Sequence, residues 1–114
     1  MDDCIFCKIV QKKIPAKIIY EDDLAVAFED INPQAPSHTL VIPRKHIPTA
    51  LEIRQGDHAL IGHLFEVAAK IAHEKRIAQS GFRLVMNTNA DAGQTVFHVH
   101  LHLLGGRAMQ WPPG

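Results

Sequence analysis

The spacing of apolar side chains predicts five strands and one long helix. Apolar residues at three- and four-residue spacing predict a helix over residues 58–79, with Asp57 as its N-cap and Gly81 as the glycine that ends it. A strict two-residue alternation predicts a strand over residues 95–104. Shorter apolar runs bounded by turn formers predict the other strands, at residues 17–21, 24–28, 38–42 and 82–87. Together they indicate an α+β fold, a mainly antiparallel sheet with the helix covering one face.

The strand predicted over residues 95–104 carries an unusual row of side chains. His98, His100 and His102 alternate there with aliphatic residues. Successive side chains of a strand point to opposite faces, so the three imidazoles share one face at intervals of about 7 Å. They could be only the polar half of an amphipathic strand, but a solvent face more often carries Thr, Lys or Arg, so we interpret the row as a candidate site.

Imidazole can ligate a metal, transfer protons or act as a covalent nucleophile. One ion held by all three histidines is geometrically poor, because the outer two lie about 13 Å apart on a straight strand and zinc bonds are near 2 Å. A zinc hydrolase that uses two of them stays an alternative. The nucleophilic interpretation fits better, since a neutral imidazole can attack phosphorus when its other ring nitrogen donates to an acceptor. The central residue, His100, is the one with a histidine on each side along the row.

Composition and charge restrict the classes of protein to consider. A chain of 114 residues predicts one domain, residues 1–114, with residues 107–114 as a C-terminal tail. Lys+Arg and Asp+Glu both number 12, so there is no basic field for nucleic acid or for a membrane surface. No apolar run approaches the roughly 20 residues of a transmembrane helix, and the acidic start MDDC is unlike a secretory signal. A cytoplasmic protein is therefore expected, with its cysteines reduced.

Longer stretches of the chain resemble one family. HVHLHLL (98–104) is the His-φ-His-φ-His-φ-φ pattern of the histidine triad (HIT) superfamily. DINPQAPSHTLVIP (30–43) and GGRAMQWPPG (105–114) resemble its Hint branch, the purine nucleoside phosphoramidases. The resemblance covers nearly the whole chain. It implies a HIT-like sheet of five strands with one long and one short helix, and a homodimer in which two sheets form one continuous ten-stranded sheet.

The reaction implied by this resemblance is hydrolysis of the P–N bond in adenosine 5′-phosphoramidates, giving AMP and an amine with no cofactor in the chemistry. His100 then matches the nucleophile that forms a nucleotidyl-histidine intermediate. His102 matches a contact to the phosphate or bridging atom, and His98 a supporting position. His38 matches a fourth active-site histidine. Two alternatives are a dinucleoside polyphosphate hydrolase and a nucleotide-binding or scaffolding module with little turnover.

The resemblance also implies how the purine nucleotide is held. Asn87, Gln94 and Thr95 match positions around the α-phosphate, with Thr95 replacing the serine common in animal members. Asp30 would accept hydrogen bonds from the ribose hydroxyls, and Trp111 belongs to a tail that approaches the neighbouring subunit's site. The base would lie among apolar residues, of which Ile9 and Leu40 could equally be plain core. These residues are Ile5, Phe6, Ile9, Phe28, Ile31 and Leu40.

The two cysteines form a separate motif. Cys4 and Cys7 have the spacing of half a structural zinc site. Some bacterial members of the superfamily complete such a site with two histidines, which correspond to His46 and His98. The resemblance thus implies a structural zinc site of two cysteines and two histidines beside the catalytic strand. The alternative is a pair of free thiols in a reducing compartment.

Overall fold

The computed structural model describes residues 3–114. A single antiparallel sheet has the strand order β1-β2-β3-β5-β4. Its strands are β1 (Ile18–Glu21), β2 (Ala25–Glu29), β3 (Ser37–Pro43), β4 (Phe82–Val85) and β5 (Leu101–Gly105). The α-helices are α1 (Ile5–Val10) and α2 (His58–Glu74), and three short 3-10 turns lie at Ala50–Glu52, Gln55–Asp57 and Ala90–Ala92. Within the described residues, no helix is both long and apolar enough to cross a membrane.

The two faces of the sheet are covered by different helices, which is why every residue of β3 is buried. On one face α2 packs against alternate residues of the strands, and this core includes Ala27, Val41, Leu64, Ile71, Leu101 and Leu103. On the other face α1 packs through Phe6 and Ile9 against Val26, Phe28, Leu40 and Ile42. The expected antiparallel sheet with a long helix is confirmed, and the short helix of the HIT fold is α1.

The predicted C-terminal end of the long helix is wrong. The helix ends at Glu74. The residue just beyond its end is Arg76 in the left-handed conformation (φ 61°), rather than the predicted Gly81. The amide of Ile77 donates to the Ala72 carbonyl (3.0 Å), which completes a Schellman-type ending. Arginine at this position carries no glycine signal, so the pattern could not show where the helix stops.

The strand carrying the histidines is shorter than predicted. Regular pairing begins only at Leu101, so residues 95–100 are an irregular approach to β5 rather than part of it. His98, Val99 and His100 are all buried, and the alternation therefore does not separate a core face from a solvent face. The amide of Val99 donates to the Ile47 carbonyl (2.7 Å), which ties this approach to the loop after β3.

Two smaller expectations also need correction. Asp57 precedes α2, but its side chain does not cap the helix. Its carboxylate instead accepts from Lys45 Nζ (2.6 Å) and the Arg54 amide (2.9 Å). The third strand, predicted over residues 38–42, extends by one residue at each end and has Pro43 as its last residue. Its carbonyl, which points toward the histidines, takes part in the site described next.

Candidate active site

The central strands bring two distant histidines together. In the β3–β5 pairing, His38 lies opposite Leu104 and Leu40 lies opposite His102. This register places His38 Nε2 2.9 Å from His102 Nδ1. The ring of His100 lies 5.0 Å from that of His102, centroid to centroid. Three imidazoles from two segments that are far apart in sequence thus form one cluster.

The hydrogen bonds of His100 fix which of its nitrogens is free. His100 Nδ1 lies 2.7 Å from the His98 carbonyl oxygen, and because that oxygen can only accept, Nδ1 carries the proton. The neutral ring then has its lone pair on Nε2. Phe6 packs edge-on against the ring at 5.0 Å and helps to hold its orientation. This is the tautomer that a nucleophilic imidazole requires.

The proton positions of the neighbouring pair follow from the same reasoning. The backbone amide of Gln34 donates to His38 Nδ1 (3.0 Å), so the proton of neutral His38 is on Nε2. That N–H donates to His102 Nδ1, which leaves His102 with its proton on Nε2. The chain of bonds therefore ends in an N–H donor, His102 Nε2, on the ring next to that of His100.

Burial keeps this cluster uncharged near neutral pH. Loss of hydration lowers the pKa of His102 to about 4, and its neighbours His100 and His38 oppose a positive charge as well. Burial also lowers the pKa of His38 and of His100, although the carboxylate of Asp30 partly offsets this by favouring the charged rings. The neutral forms that the hydrogen bonds require are therefore the stable ones.

An open cavity of about 360 Å³ lies over the cluster. His100 and His102 form part of its wall, and Asp30 lies at 3.4 Å from His38 Nε2. Every residue that the resemblance assigned to the base pocket lines it: Ile5, Phe6, Ile9, Phe28, Ile31 and Leu40. Thr95 lines it too. The cavity thus combines an apolar wall, carboxylates that include Asp30, and the imidazole pair.

Sequence reasoning missed several residues of this wall. They are Ile14, Pro15, Ala16, Glu29 and Val96. The first three follow α1 in an irregular segment with no periodicity and no chemical signature, so only the folded chain shows their position. The role of the Gln34 amide was missed for a similar reason, because a backbone donor leaves no trace in residue type.

Three predicted contact residues lie elsewhere. Asn87 and Gln94 are not among the described residues that line the cavity, and neither is Trp111, which is 83% exposed. Gln94 is buried, and the Nε2 of its side-chain amide donates to the backbone carbonyls of Pro48 (2.8 Å) and Val96 (3.1 Å). This side chain therefore shapes the loop that carries Thr95. A role for Asn87 and Gln94 toward the phosphate stays a prediction, and so does an approach of Trp111 to a neighbouring subunit's site.

The four predicted metal ligands do come together. The ligand atoms of Cys4, Cys7, His46 and His98 all lie within 4.8 Å of one another, so the group can hold a metal ion. His98 Nδ1 is 3.4 and 3.5 Å from the two sulfurs. His98 Nε2 donates to the Pro43 carbonyl (2.8 Å), so the lone pair of Nδ1 faces the cysteines.

A second group of possible ligands is better explained by hydrogen bonding. Asp30, His38 and His102 also have ligand atoms within 4.8 Å of one another. His38 Nε2, however, carries a proton because the Gln34 amide occupies Nδ1. A nitrogen that bears a proton cannot bind a metal. We therefore treat these residues as part of the imidazole cluster. His100 belongs to neither group of possible metal ligands among the described residues, which gives no support to a zinc hydrolase that uses this residue.

Comparison with known proteins identifies the family. The sequence profile of the HIT domain matches residues 11–109, so the chain belongs to the HIT family. It is 54% identical over 113 residues to an uncharacterised HIT-like protein of Synechocystis, covering 99% of this chain and 98% of that protein. It is 49% identical over 108 residues to the purine nucleoside phosphoramidase of Escherichia coli, covering 95% of this chain and 91% of the relative.

Solved structures agree with this assignment. A HIT family hydrolase from Legionella pneumophila superposes with a TM-score of 0.97 and 49% identity, covering 98% of this chain and all of that one. A histidine triad protein from Clostridium difficile gives a TM-score of 0.93 and 44% identity, with 96% of both chains covered. The family recognised from the HVHLHLL motif is thereby confirmed.

The lowered histidine pKa values predict acid sensitivity of the fold. Unfolded His102 takes up a proton near pH 6.5, whereas in the folded protein its pKa is about 4. Between these values the unfolded chain binds more protons, so the free energy of unfolding falls as the pH drops from 6.5 to 4. Urea unfolding at a series of pH values measures this slope. We expect His102→Gln to reduce the slope of the unfolding free energy against pH. The control His73→Ala, on the exposed side of α2, should leave that slope unchanged.

Proposed function

We propose that the chain is a hydrolase that cleaves the P–N bond of purine nucleoside phosphoramidates through a nucleotidyl-histidine intermediate. The observation that carries this proposal is the fixed tautomer of His100, with Nδ1–H bonded to a carbonyl at 2.7 Å and Nε2 free. A phosphoramidase activity is the named function of the Escherichia coli relative. An imidazole so oriented beside an N–H donor suits displacement at phosphorus.

In the first step, His100 Nε2 attacks the α-phosphorus in line with the amine. The P–N bond breaks as the amine nitrogen takes up a proton from water, while His102 Nε2–H donates a hydrogen bond to the phosphoryl group or the bridging nitrogen. The phosphorylated ring keeps its Nδ1 proton and so carries a positive charge, which the His98 carbonyl stabilises. A cationic imidazole is a good leaving group for the second step.

In the second step, water attacks the phosphorus and the bond to His100 Nε2 breaks. AMP leaves, the proton of the attacking water passes to solvent, and the neutral ring returns. One proton is taken up in the first step and one is released in the second. His38 acts through His102, because its Nε2–H holds the His102 ring in the tautomer that donates.

The cavity supports a nucleoside as the substrate body. Its apolar wall, including Phe28 and Leu40, suits the faces of a purine base, and Asp30 can accept two ribose hydroxyl protons. No lysine or arginine is found among its described lining residues. Neutral N–H donors would therefore hold the phosphate, which suits the single negative charge of a phosphoramidate better than the several charges of a polyphosphate.

We also propose that the group of Cys4, Cys7, His46 and His98 holds a structural zinc ion. Zinc bonds of about 2.0–2.3 Å to nitrogen and sulfur give tetrahedral edges of about 3.3–3.8 Å. The edges between His46 Nδ1 and His98 Nδ1 and between His46 Nδ1 and Cys7 Sγ are both 3.3 Å. His98 Nε2–H bonds a carbonyl, as the outer nitrogen of a zinc-bound histidine ordinarily does. The ion would fix the N-terminus beside the active site and take no part in the reaction.

The assembly and location follow the family resemblance and stay proposals. Strand β4 is at one edge of the sheet. Pairing it with the same strand of a second copy would give the homodimer with a ten-stranded sheet. In that dimer the exposed Trp111 could approach the partner's site. We place the protein in the cytoplasm, where its thiols would stay reduced.

The proposal is tested by comparing kcat/KM on adenosine 5′-phosphoramidate and on a diadenosine polyphosphate. We expect kcat/KM to be more than about 100-fold higher for the phosphoramidate. This is the scale of the rate effect that one well-placed hydrogen-bond donor has through the transition state. A preference for the polyphosphate would favour the dinucleoside polyphosphate hydrolase. Nucleotide binding without turnover of either would favour the binding or scaffolding module.

A further inference from the structure

A second cavity adjoins the active-site cavity. It has a volume of about 380 Å³ and is lined by Asp3, Cys4, Ile5, His46, Thr95, Val96 and Phe97. Three of these residues, Ile5, Thr95 and Val96, also line the cavity over the histidines. Two further cavities near the C-terminal segment share none of their described lining residues with it. The two cavities thus border the same three residues.

The stereochemistry of the reaction requires a second place for the substrate. In an in-line displacement the leaving group lies opposite the nucleophile, and the nucleoside oxygen projects from the side of the phosphorus. The apolar cavity that holds the base therefore cannot also hold the amine. Thr95 borders both cavities, so the second cavity is open space next to the site in which the amine can be placed.

The lining of the second cavity indicates the chemistry of its occupant. Phe97 and Ile5 contribute half-exposed apolar surface, with 48% and 47% of their area accessible. Asp3 adds a solvent-exposed carboxylate. Together these groups suit an apolar body that carries a positive charge at its far end.

We infer that this cavity is the leaving-group subsite, and that it selects amines with an aromatic or aliphatic body and a terminal cation. The inference rests on the proposed phosphoramidase function and adds its specificity. Phe97 and Ile5 contact the body of the amine, and Asp3 attracts the cation. Thr95 borders both cavities and therefore lies between the nucleoside and the amine. The subsite gives a role to Asp3 and Phe97, which neither the nucleoside cavity nor the proposed zinc site uses.

Three substrates separate these contributions: the adenosine 5′-phosphoramidates of ammonia, para-methylbenzylamine and para-(aminomethyl)benzylamine. The two benzylic amines have nearly the same shape and differ in the terminal charge. We expect kcat/KM to be higher for the charged benzylic substrate than for the uncharged one. In Phe97→Ala, both benzylic substrates should lose about 3- to 10-fold relative to the ammonia substrate, the contribution of an aromatic contact. In Asp3→Asn, the ratio of charged to uncharged substrate should fall about 2- to 5-fold, as for an exposed ion pair.

The matched control is Phe65→Ala, because Phe65 lies on α2 outside both cavities and is exposed to a similar extent, 45%. It should leave both substrate ratios unchanged. If Phe97→Ala behaves like this control, or if Asp3→Asn leaves the charge preference intact, the subsite is wrong while the phosphoramidase function stands. If the wild-type protein hydrolyses none of the three substrates, the phosphoramidase function fails, and the subsite with it.

Discussion

Replacement of His100 by alanine should reduce kcat on adenosine 5′-phosphoramidate on the order of 10⁴-fold or more, the scale seen when a covalent nucleophile is removed. The reason is that the bond at Nδ1 leaves the lone pair of this ring on Nε2, and the ring lines the cavity. Binding of AMP should persist, because the base and ribose contacts come from other residues. Steady-state kinetics and calorimetric titration with AMP measure the two effects separately.

Two variants make this test specific. His100 is only 7% exposed, so truncation leaves a void and can disturb packing. His100→Gln fills more of that space without supplying a nucleophile, and should be as inactive as the alanine variant. His73→Ala removes an exposed histidine of α2 and should retain wild-type kcat. Activity in the glutamine variant above a few per cent of the wild type would mean that another group attacks phosphorus.

The second large effect should follow loss of a zinc ligand. The wild-type protein, purified without a tag, should contain about one zinc ion per chain, and Cys7→Ser should contain little. The variant should also lose about 3 kcal/mol of unfolding free energy, the stabilisation given by a ligand present at about 100 times its Kd. Metal analysis and urea unfolding measure the two quantities.

Chelation distinguishes metal loss from altered packing. Cys7 is buried, so serine there costs some stability without any metal. A strong chelator should destabilise the wild-type protein and leave Cys7→Ser unchanged. The control is Lys8→Ala, beside Cys7 in α1, which should keep its zinc and its response to the chelator. If the wild-type protein contains no zinc, or if the chelator leaves its free energy of unfolding unchanged, the cysteines are free thiols.

The sequence predicts the part of the fold that depends on apolar periodicity. The long helix follows from the spacing of residues such as Leu64 and Ile71, and the strands follow from apolar runs bounded by turn formers. The end of α2 could not be predicted, because Arg76 adopts a left-handed conformation in which glycine is expected. The length of β5 was also overestimated. There the alternation of histidine with aliphatic residues reflects two buried surroundings rather than a core face and a solvent face.

The candidate site, like the fold, was predictable from the sequence only in part. The residue types of the motif, together with family resemblance, point to His100 and to the four possible metal ligands. What the sequence could not show is the protonation of each ring, which is set by partners with no side-chain signature. These partners are the carbonyls of His98 and Pro43 and the amide of Gln34. The cavity beyond Thr95 was equally hidden, since its walls come from three separate segments of the chain, residues 3–5, His46 and residues 95–97.

The covalent intermediate is the central claim, and rapid-quench mass spectrometry of the intact protein tests it most directly. The protein is mixed with adenosine 5′-phosphoramidate, quenched at short times and weighed beside His100→Gln. We predict a mass increase of one AMP group on the wild type during turnover, located on His100 by peptide mapping, and none on the variant. Turnover with no adduct at any quench time, or an adduct that persists in the variant, would contradict nucleophilic attack by His100.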